Sequence, residues 1–236
     1  MNLKFYSLYI ILLLMTTSCH QKKQVLPDNF FTIAAMKDVM WKGKLGPKID
    51  LDTLTPSKGL YGLGPESYMT GEILIDNGTT YVSRVGQNNA MQVFKTNQTS
   101  APFFVYSRVQ GWDSISLPEN IKNIKDLESY ISELSKNKIQ PFAFKLQGTI
   151  NEALIHIQNL PKNTAVSSPK EAHQGQVDYK LMNEQATIVG VYSTNHQGVF
   201  THHDSFLHMH LITNDKQKMG HLDAVNFREM MIYLPK

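Results

Sequence analysis

The segment that most constrains the fold is a strand pattern that carries two histidines. Residues 206–212 are Phe-Leu-His-Met-His-Leu-Ile, with apolar side chains on both sides of the His-Met-His triplet. This pattern predicts a β-strand, in which successive side chains point to opposite faces. His208 and His210 therefore share one face of the strand.

A hairpin turn is predicted directly after this strand. Residues 214–217 are Asn-Asp-Lys-Gln, which is typical of a turn. A turn centred between Asp215 and Lys216 places His210 opposite His221. Opposed residues on paired strands share a face, with Cβ atoms about 5 Å apart. Three imidazoles then converge on one point, as a three-coordinate metal site with an open position requires.

Two interpretations of these histidines remain open. They are either metal ligands or ordinary hydrogen-bonded side chains. The third histidine, placed by the hairpin register, favours the metal site. Zinc is the default ion for imidazole ligands, with manganese and iron as alternatives.

The rest of the chain predicts an α+β fold, mainly mixed or antiparallel β-sheet in two packed subdomains with a few peripheral helices. The strongest signal is Asn77-Gly78 between two β-rich segments, which marks a two-residue hairpin turn. Helices are predicted over residues 32–41, ending at Gly43, and over 120–136. Further strands are predicted at residues 91–94, 103–109, 142–147, 153–158, 186–192 and 230–234, with a turn at Gly148. We expect a β-rich subdomain over residues 30–140 and a metal-binding subdomain over residues 141–236.

The N-terminus predicts an export signal. Lys4 precedes an apolar run at residues 5–15 that is too short to span a bilayer as a mature helix. Small residues then lead to Cys19, as in bacterial lipoprotein signals. We expect a signal peptide over residues 1–18, a lipid on Cys19 and a tether over residues 19–29. The alternative is a plain secretory signal, so the protein is exported either as a membrane-anchored lipoprotein or into a periplasmic or extracellular space.

Charge and cysteine content argue against a nucleic-acid-binding protein and against a disulfide-stabilised fold. The net charge is +3, from 23 Lys and Arg against 20 Asp and Glu, and the basic residues are scattered. Nucleic-acid binders show a basic stripe or a recognition motif instead, so we expect no nucleic-acid partner. Cys19 is the single cysteine, which excludes an intrachain disulfide. Membrane contact is expected only through the lipid anchor.

Several segments, in the same order, resemble the alpha-acetolactate decarboxylase family. The final segment is the most specific, because spacings of two and eleven residues separate His208, His210 and His221 as in the family. The segments are Ile33-Ala-Ala-Met with Trp41-Lys-Gly-Lys-Leu, Gly59-Leu-Tyr-Gly-Leu-Gly, Thr70-Gly-Glu-Ile-Leu-Ile-Asp-Asn-Gly, Pro141-Phe-Ala-Phe-Lys-Leu-Gln-Gly, Ala186-Thr-Ile-Val-Gly and His208-Met-His with Gly220-His.

The resemblance implies zinc on the three histidines, with Glu72 as the nearby carboxylate. The implied reaction is decarboxylation of 2-acetolactate (2-hydroxy-2-methyl-3-oxobutanoate) to acetoin and carbon dioxide. Zinc can stabilise the enediolate left after decarboxylation, and a carboxylic acid can protonate it. Without the resemblance, Glu72 would be interpreted as a solvated acid at a strand end.

Three features depart from the family pattern. His156 occupies the position of the family's substrate-facing arginine, and a histidine cannot present a bidentate fork. It either contacts substrate or is a neutral core histidine. The family's second glutamate, which a longer tail returns to the site, has no counterpart in a sequence that stops at Lys236. An insertion contains His202, His203 and Asp204, which we expect to be exposed loop residues rather than site groups.

Three functions therefore compete. The first is a zinc-dependent acetolactate decarboxylase. The second is a catalytically impaired relative that binds zinc and a small 2-hydroxy-3-keto acid. The third is a cupin-like metal oxygenase, which expects a glutamate shortly after His-x-His, where only the turn residue Asp215 is available. A homodimer is left open.

Overall fold

Two antiparallel β-sheets form most of the structure, a computed structural model that describes residues 29–236. The expected signal peptide, Cys19 and nearly all of the tether lie outside the described residues. In chain order the strands are β1 (Phe30–Ile33), β2 (Ile49–Asp50), β3 (Leu60–Pro65), β4 (Glu72–Asp76), β5 (Thr79–Val85), β6 (Met91–Lys95), β7 (Ser100–Ala101), β8 (Phe104–Arg108), β9 (Trp112–Ser116), β10 (Phe142–Ile157), β11 (Val177–Met182), β12 (Gln185–Tyr192), β13 (Leu207–Thr213) and β14 (Met219–Pro235). The α-helices are α1 (Met36–Lys42), α2 (Ile124–Leu134) and α3 (Pro169–Ala172).

The predicted fold class is confirmed, because short helices flank two mainly antiparallel sheets. The first sheet has the order β1-β8-β3-β4-β5-β6, and the second has the order β11-β10-β12-β13-β14-β9. In the second sheet β14 also pairs with β10. The pairings β10–β12, β12–β13, β13–β14 and β14–β10 thus close on themselves and give the histidine hairpin neighbours on both sides.

A hydrophobic layer packs the two sheets together. Leu63, Leu74 and Val105 of the first sheet share one core cluster with Val189 and Ile212 of the second. The first sheet's Glu72 can therefore reach a site built on the second sheet. β9 and α2 precede residue 141, yet β9 pairs with β14 and the apolar face of α2 packs in the core of the second sheet.

Both predicted hairpins are confirmed. Asn77 and Gly78 have φ values of 49° and 85° between β4 and β5, as a two-residue turn of this type requires. The histidine hairpin turns where expected, and His210 pairs with His221.

The helix predicted over residues 32–41 is wrong in its first part. Thr32 and Ile33 belong to β1, which pairs with β8, and α1 begins at Met36. The helical spacing of apolar residues predicted a helix here, but hydrogen bonding of this segment to the edge of the first sheet decided for a strand. The end was predicted correctly, because Gly43 is in the left-handed conformation with φ 60°.

The turn predicted at Gly148 is wrong. The two strands predicted around it are one strand, β10, with irregular register to β14 near Ile150. A Cβ at Gly148 would lie 2.0 Å from the Glu229 carbonyl oxygen. Glycine is therefore needed here for close approach of two strands. The separate last strand predicted at residues 230–234 is likewise the end of β14.

The second predicted helix is confirmed with a later start. Asn123 accepts a hydrogen bond from the Asp126 backbone N–H, and Asp126 accepts one in return, so α2 begins with a capping box. None of the helices within residues 29–236 has the length and continuous hydrophobicity that crossing a bilayer needs.

Candidate metal centre

Three buried histidines converge at the centre of the second sheet. His208 and His210 lie on β13, and His221 lies on β14 directly opposite His210. All three side chains are buried. Their candidate ligand nitrogens lie within 4.8 Å of one another. The structure thus brings together the three residues that the hairpin register predicted.

The hydrogen bonds around these rings leave nitrogen lone pairs available for a cation. His208 Nδ1 donates to the Phe200 carbonyl oxygen at 2.8 Å, which leaves Nε2 as the lone-pair nitrogen. His210 is fully buried, and neither of its ring nitrogens has a hydrogen-bond partner among residues 29–236. A buried polar atom without a partner is costly, and a bound metal ion would satisfy one of these nitrogens. The donor set therefore fits a divalent cation.

Burial keeps these imidazoles neutral, as metal binding requires. Burial and the neighbouring His156 lower the pKa of His210 to about 3, whereas the Ile73 backbone, which approaches the ring outside hydrogen-bond geometry, acts in the opposite direction. Burial also lowers the pKa values of His208 and His221 well below the usual value, reinforced by neighbouring histidines. Protons therefore compete little with a metal ion near neutral pH.

Glu72 reaches the histidines from the first sheet. It is 2% exposed, and its Oε2 lies 3.5 Å from His210 Nε2. The Gln158 backbone N–H donates to its Oε1 at 3.3 Å. Burial raises the pKa of the Glu72 carboxyl well above its usual value, the Gln158 N–H opposes this, and nearby Asp223 adds to it. Glu72 is thus a buried acid beside the histidines rather than a solvated strand-end residue.

His156 also lies in the site. It pairs with His221 across β10 and β14, and the two rings stack with centroids 4.6 Å apart. Its Nδ1 lies 2.7 Å from an Asp223 carboxylate oxygen and donates to it. Its Nε2 lies 3.2 Å from the Gln158 side-chain nitrogen and 4.0 Å from Glu72 Oε1. A proton on Nδ1 and a lone pair on Nε2 satisfy Asp223 and Gln158.

The expectation for residues 202–204 is wrong for His202. Its Nε2 lies 3.2 Å from His221 Nε2, and the side chain is half-buried. Burial lowers the pKa of His202. His203 and Asp204 are exposed, as expected. The loop folds back on β13 because the Phe200 carbonyl accepts a hydrogen bond from His208, which sequence spacing did not reveal.

Sequence reasoning missed two further site residues, Asp223 and Gln158. Asp223 is the extra residue in a register shift of β14, where Leu222 pairs with Ile155 and Ala224 with Leu154. Such bulges reorient a side chain and leave little trace in sequence. Gln158 follows β10 and lies two residues after His156, and this spacing was the available signal.

Two cavities flank the centre. The narrower one, about 30 Å³, has room for about one water molecule and lies between Glu72, His156 and the apolar side chains of Met36 and Phe103. The second, about 220 Å³, is lined by His202, His208, His221, Asp204 and Asp223 among others. A cavity of about 530 Å³ surrounds the Glu66–Arg84 ion pair and contains no histidine. The centre is thus approached from more than one side.

Comparison with known proteins gives consistent matches. The sequence model of the family described as Alpha-acetolactate decarboxylase matches residues 31–235. An alpha-acetolactate decarboxylase of Brevibacillus brevis is 25% identical over 171 residues, which are 72% of this chain and 57% of that protein. The chain thus spans less than two thirds of the length of this curated relative.

Solved structures share the fold. An alpha-acetolactate decarboxylase from Bacillus subtilis strain 168 superimposes with a TM-score of 0.73 at 17% identity, over 88% of this chain and 85% of that one. A Staphylococcus aureus protein of unknown function, described as similar to alpha-acetolactate decarboxylase, gives 0.73 at 15% identity, over 86% and 84%.

Proposed function

The chain belongs to the alpha-acetolactate decarboxylase family, and from this membership we propose that it converts 2-acetolactate into acetoin and carbon dioxide. The observation that carries the proposal is the convergence of His208, His210 and His221 beside the buried acid Glu72. The substrate class is a small 2-hydroxy-3-keto acid.

The three histidines would hold a divalent cation, with zinc as the first choice and manganese or iron as alternatives. When bound, the cation supplies Lewis-acid stabilisation of negative charge on the substrate's hydroxyl and ketone oxygens. His208 is oriented for this role by its hydrogen bond to Phe200.

Glu72 supplies the proton in this proposal. Loss of carbon dioxide leaves an electron pair shared between the former C2 and the ketone, and one proton at C2 completes acetoin. The reaction therefore consumes one proton, which solvent returns to the carboxyl. Burial favours the protonated form of Glu72, and the Gln158 N–H fixes the direction of its Oε1.

We assign His156 to the reaction site rather than to the core, because it lines the same small cavity as Glu72. Asp223 holds the ring through Nδ1, which leaves Nε2 for one further contact. We assign that contact to a polar group of the substrate, where Gln158 now donates. This contact accepts a hydrogen bond from the substrate, whereas the family's arginine offers two N–H donors.

His210→Ala tests the proposal. Because His210 is a central ligand, the variant is expected to lose bound metal and acetoin formation together. Metal content by elemental analysis and acetoin from acetolactate are measured beside wild type, with exposed His203→Ala as the matched control. Full metal occupancy in His210→Ala would disprove the ligand assignment.

A second candidate is a zinc protein that binds the keto acid without turnover. The position of the family's arginine favours this candidate. His156 stands there, its Nδ1 is engaged with Asp223, and the ring cannot present two N–H donors to a substrate carboxylate. The same assay separates the two, since a binder retains metal and makes no acetoin. The oxygenase alternative is not supported. Asp215, the acidic residue that would have to act as its metal ligand, accepts hydrogen bonds within the turn from Thr213 and Gln217.

Location is part of the same proposal. We propose that the protein is exported as a lipoprotein. This rests on the apolar run at residues 5–15 and on Cys19. A free secreted form is the alternative, in which Cys19 carries no lipid.

A further inference from the structure

The contact between His202 and His221 is not explained by the site described so far. Their Nε2 atoms lie 3.2 Å apart, and their ring centroids 5.1 Å apart. Within residues 29–236 this is the only hydrogen bond found for either ring. Two imidazole nitrogens at this distance either share a proton or face one cation.

The distance has a chemical meaning in a metal site. Two nitrogens bound to a tetrahedral zinc at about 2.0–2.1 Å stand about 3.3 Å apart. The separation of 3.2 Å matches this spacing. Moreover, once a cation takes the lone pair of His221 Nε2, that atom can no longer accept a proton from His202. The lone pair of His202 Nε2 can then face the same cation.

The backbone around His202 holds it in this place. Two residues earlier, the Phe200 carbonyl accepts the hydrogen bond from His208. The Thr201 carbonyl accepts one from the Gly198 N–H. After His202, Ser205 and the Phe206 N–H both donate to Glu128 of α2. The loop is therefore anchored on both sides, and the His202 ring lies 5.9 Å from that of His208.

We propose that His202 is a fourth protein ligand of the metal in the substrate-free protein. The inference rests on the metal centre proposed above and deepens it. Three histidines would leave a position on the ion open. His202 lies outside the group of three nitrogens, but its Nε2 is 3.2 Å from that of His221, and its ring would turn onto that position from the loop. A keto acid bound at the ion would compete with His202 for that position.

Counting imidazoles around bound zinc tests this directly. X-ray absorption at the zinc edge is expected to show four imidazole ligands in the wild type and three plus one oxygen in His202→Ala. Zinc affinity, measured by competition with a chromogenic chelator, is expected to fall about ten-fold or more in His202→Ala. His203→Ala, which removes the exposed neighbouring histidine, is expected to match wild type.

The outcomes separate the two proposals. Wild type that binds neither zinc nor manganese nor iron would disprove the metal centre itself. Wild type with three imidazoles, or His202→Ala with unchanged affinity, would overturn the role of His202 and leave the other three ligands in place. The wild-type count depends on no variant, so it decides the question even if His202→Ala fails to fold.

Discussion

His210 shows how burial changes the meaning of a residue. The sequence places it on a strand beside another histidine. Only the structure shows that it is fully buried and that both ring nitrogens lack a hydrogen-bond partner in the described part of the chain. Its pKa of about 3 follows mainly from burial. A neutral, unsatisfied imidazole is a strong reason to expect a cation at this point.

Asp223 is the residue whose role sequence alone did not suggest. Its carboxylate accepts from His156 Nδ1, and a charge-assisted bond is stronger than a neutral one by about 1 kcal/mol.

We expect Asp223→Asn to lower acetoin formation by about five- to ten-fold while metal content stays at the wild-type level, because the amide keeps the shape and weakens the bond. Steady-state kinetics and elemental analysis measure both quantities. Asp178→Asn is the matched control, because Asp178 pairs with His156 across β10 and β11 but is exposed. Equal rates in wild type and Asp223→Asn would remove Asp223 from the site.

At the scale of elements, the centre depends on close strand contacts. His156, His221 and His210 form a row across β10, β14 and β13. Gly220 makes this row possible, because a Cβ there would lie 2.5 Å from the His156 carbonyl oxygen. That neighbour is backbone, so one of the strands must shift to admit a methyl group.

Gly220→Ala is therefore expected to destabilise the protein by about 1–3 kcal/mol and to weaken metal binding by displacing His221. Urea unfolding and chelator competition measure the two effects. Gly46→Ala is the control, because its Cβ would come no closer than 3.8 Å to Tyr68. Two glycine variants of equal stability would contradict the close approach assigned to Gly220.

At the scale of the whole molecule, packing of two sheets buries titratable groups of both kinds. Burial lowers the pKa of several histidines, namely His173, His196, His202, His208, His210 and His221. It raises the pKa of Glu72. These shifts have opposite consequences for stability.

The histidines bind protons more readily in the unfolded state, so below pH about 6.5 the metal-free protein is expected to lose stability as pH falls. Glu72 has the opposite sign, because its pKa is higher in the folded state, and it partly offsets the loss. Urea unfolding of metal-free protein between pH 7 and 5 is expected to show a steeper loss of stability in Glu72→Gln than in wild type, by at most one proton, which is about 1.4 kcal/mol per pH unit. A flat profile in wild type would contradict the burial of these rings.

Local sequence determined the parts of the fold whose information is local. Asn77-Gly78 specified its turn because both residues tolerate positive φ, and the polar run at residues 214–217 fixed the register that pairs His210 with His221. Period-two alternation then placed His208 beside them. The three candidate metal ligands were therefore predictable, together with the α+β class.

Only the tertiary structure decided what depends on neighbours distant in the chain. The pairing of β1 with β8 replaced a predicted helix start, and the contact of Gly148 with Glu229 turned a predicted turn into strand. The same applies to His202 and Asp223, which a folded loop and a bulge bring to the centre. A sequence pattern records which face a side chain takes along its own element. Packing between elements decides which side chains from distant parts of the chain meet at that face, and a local sequence pattern does not encode this packing.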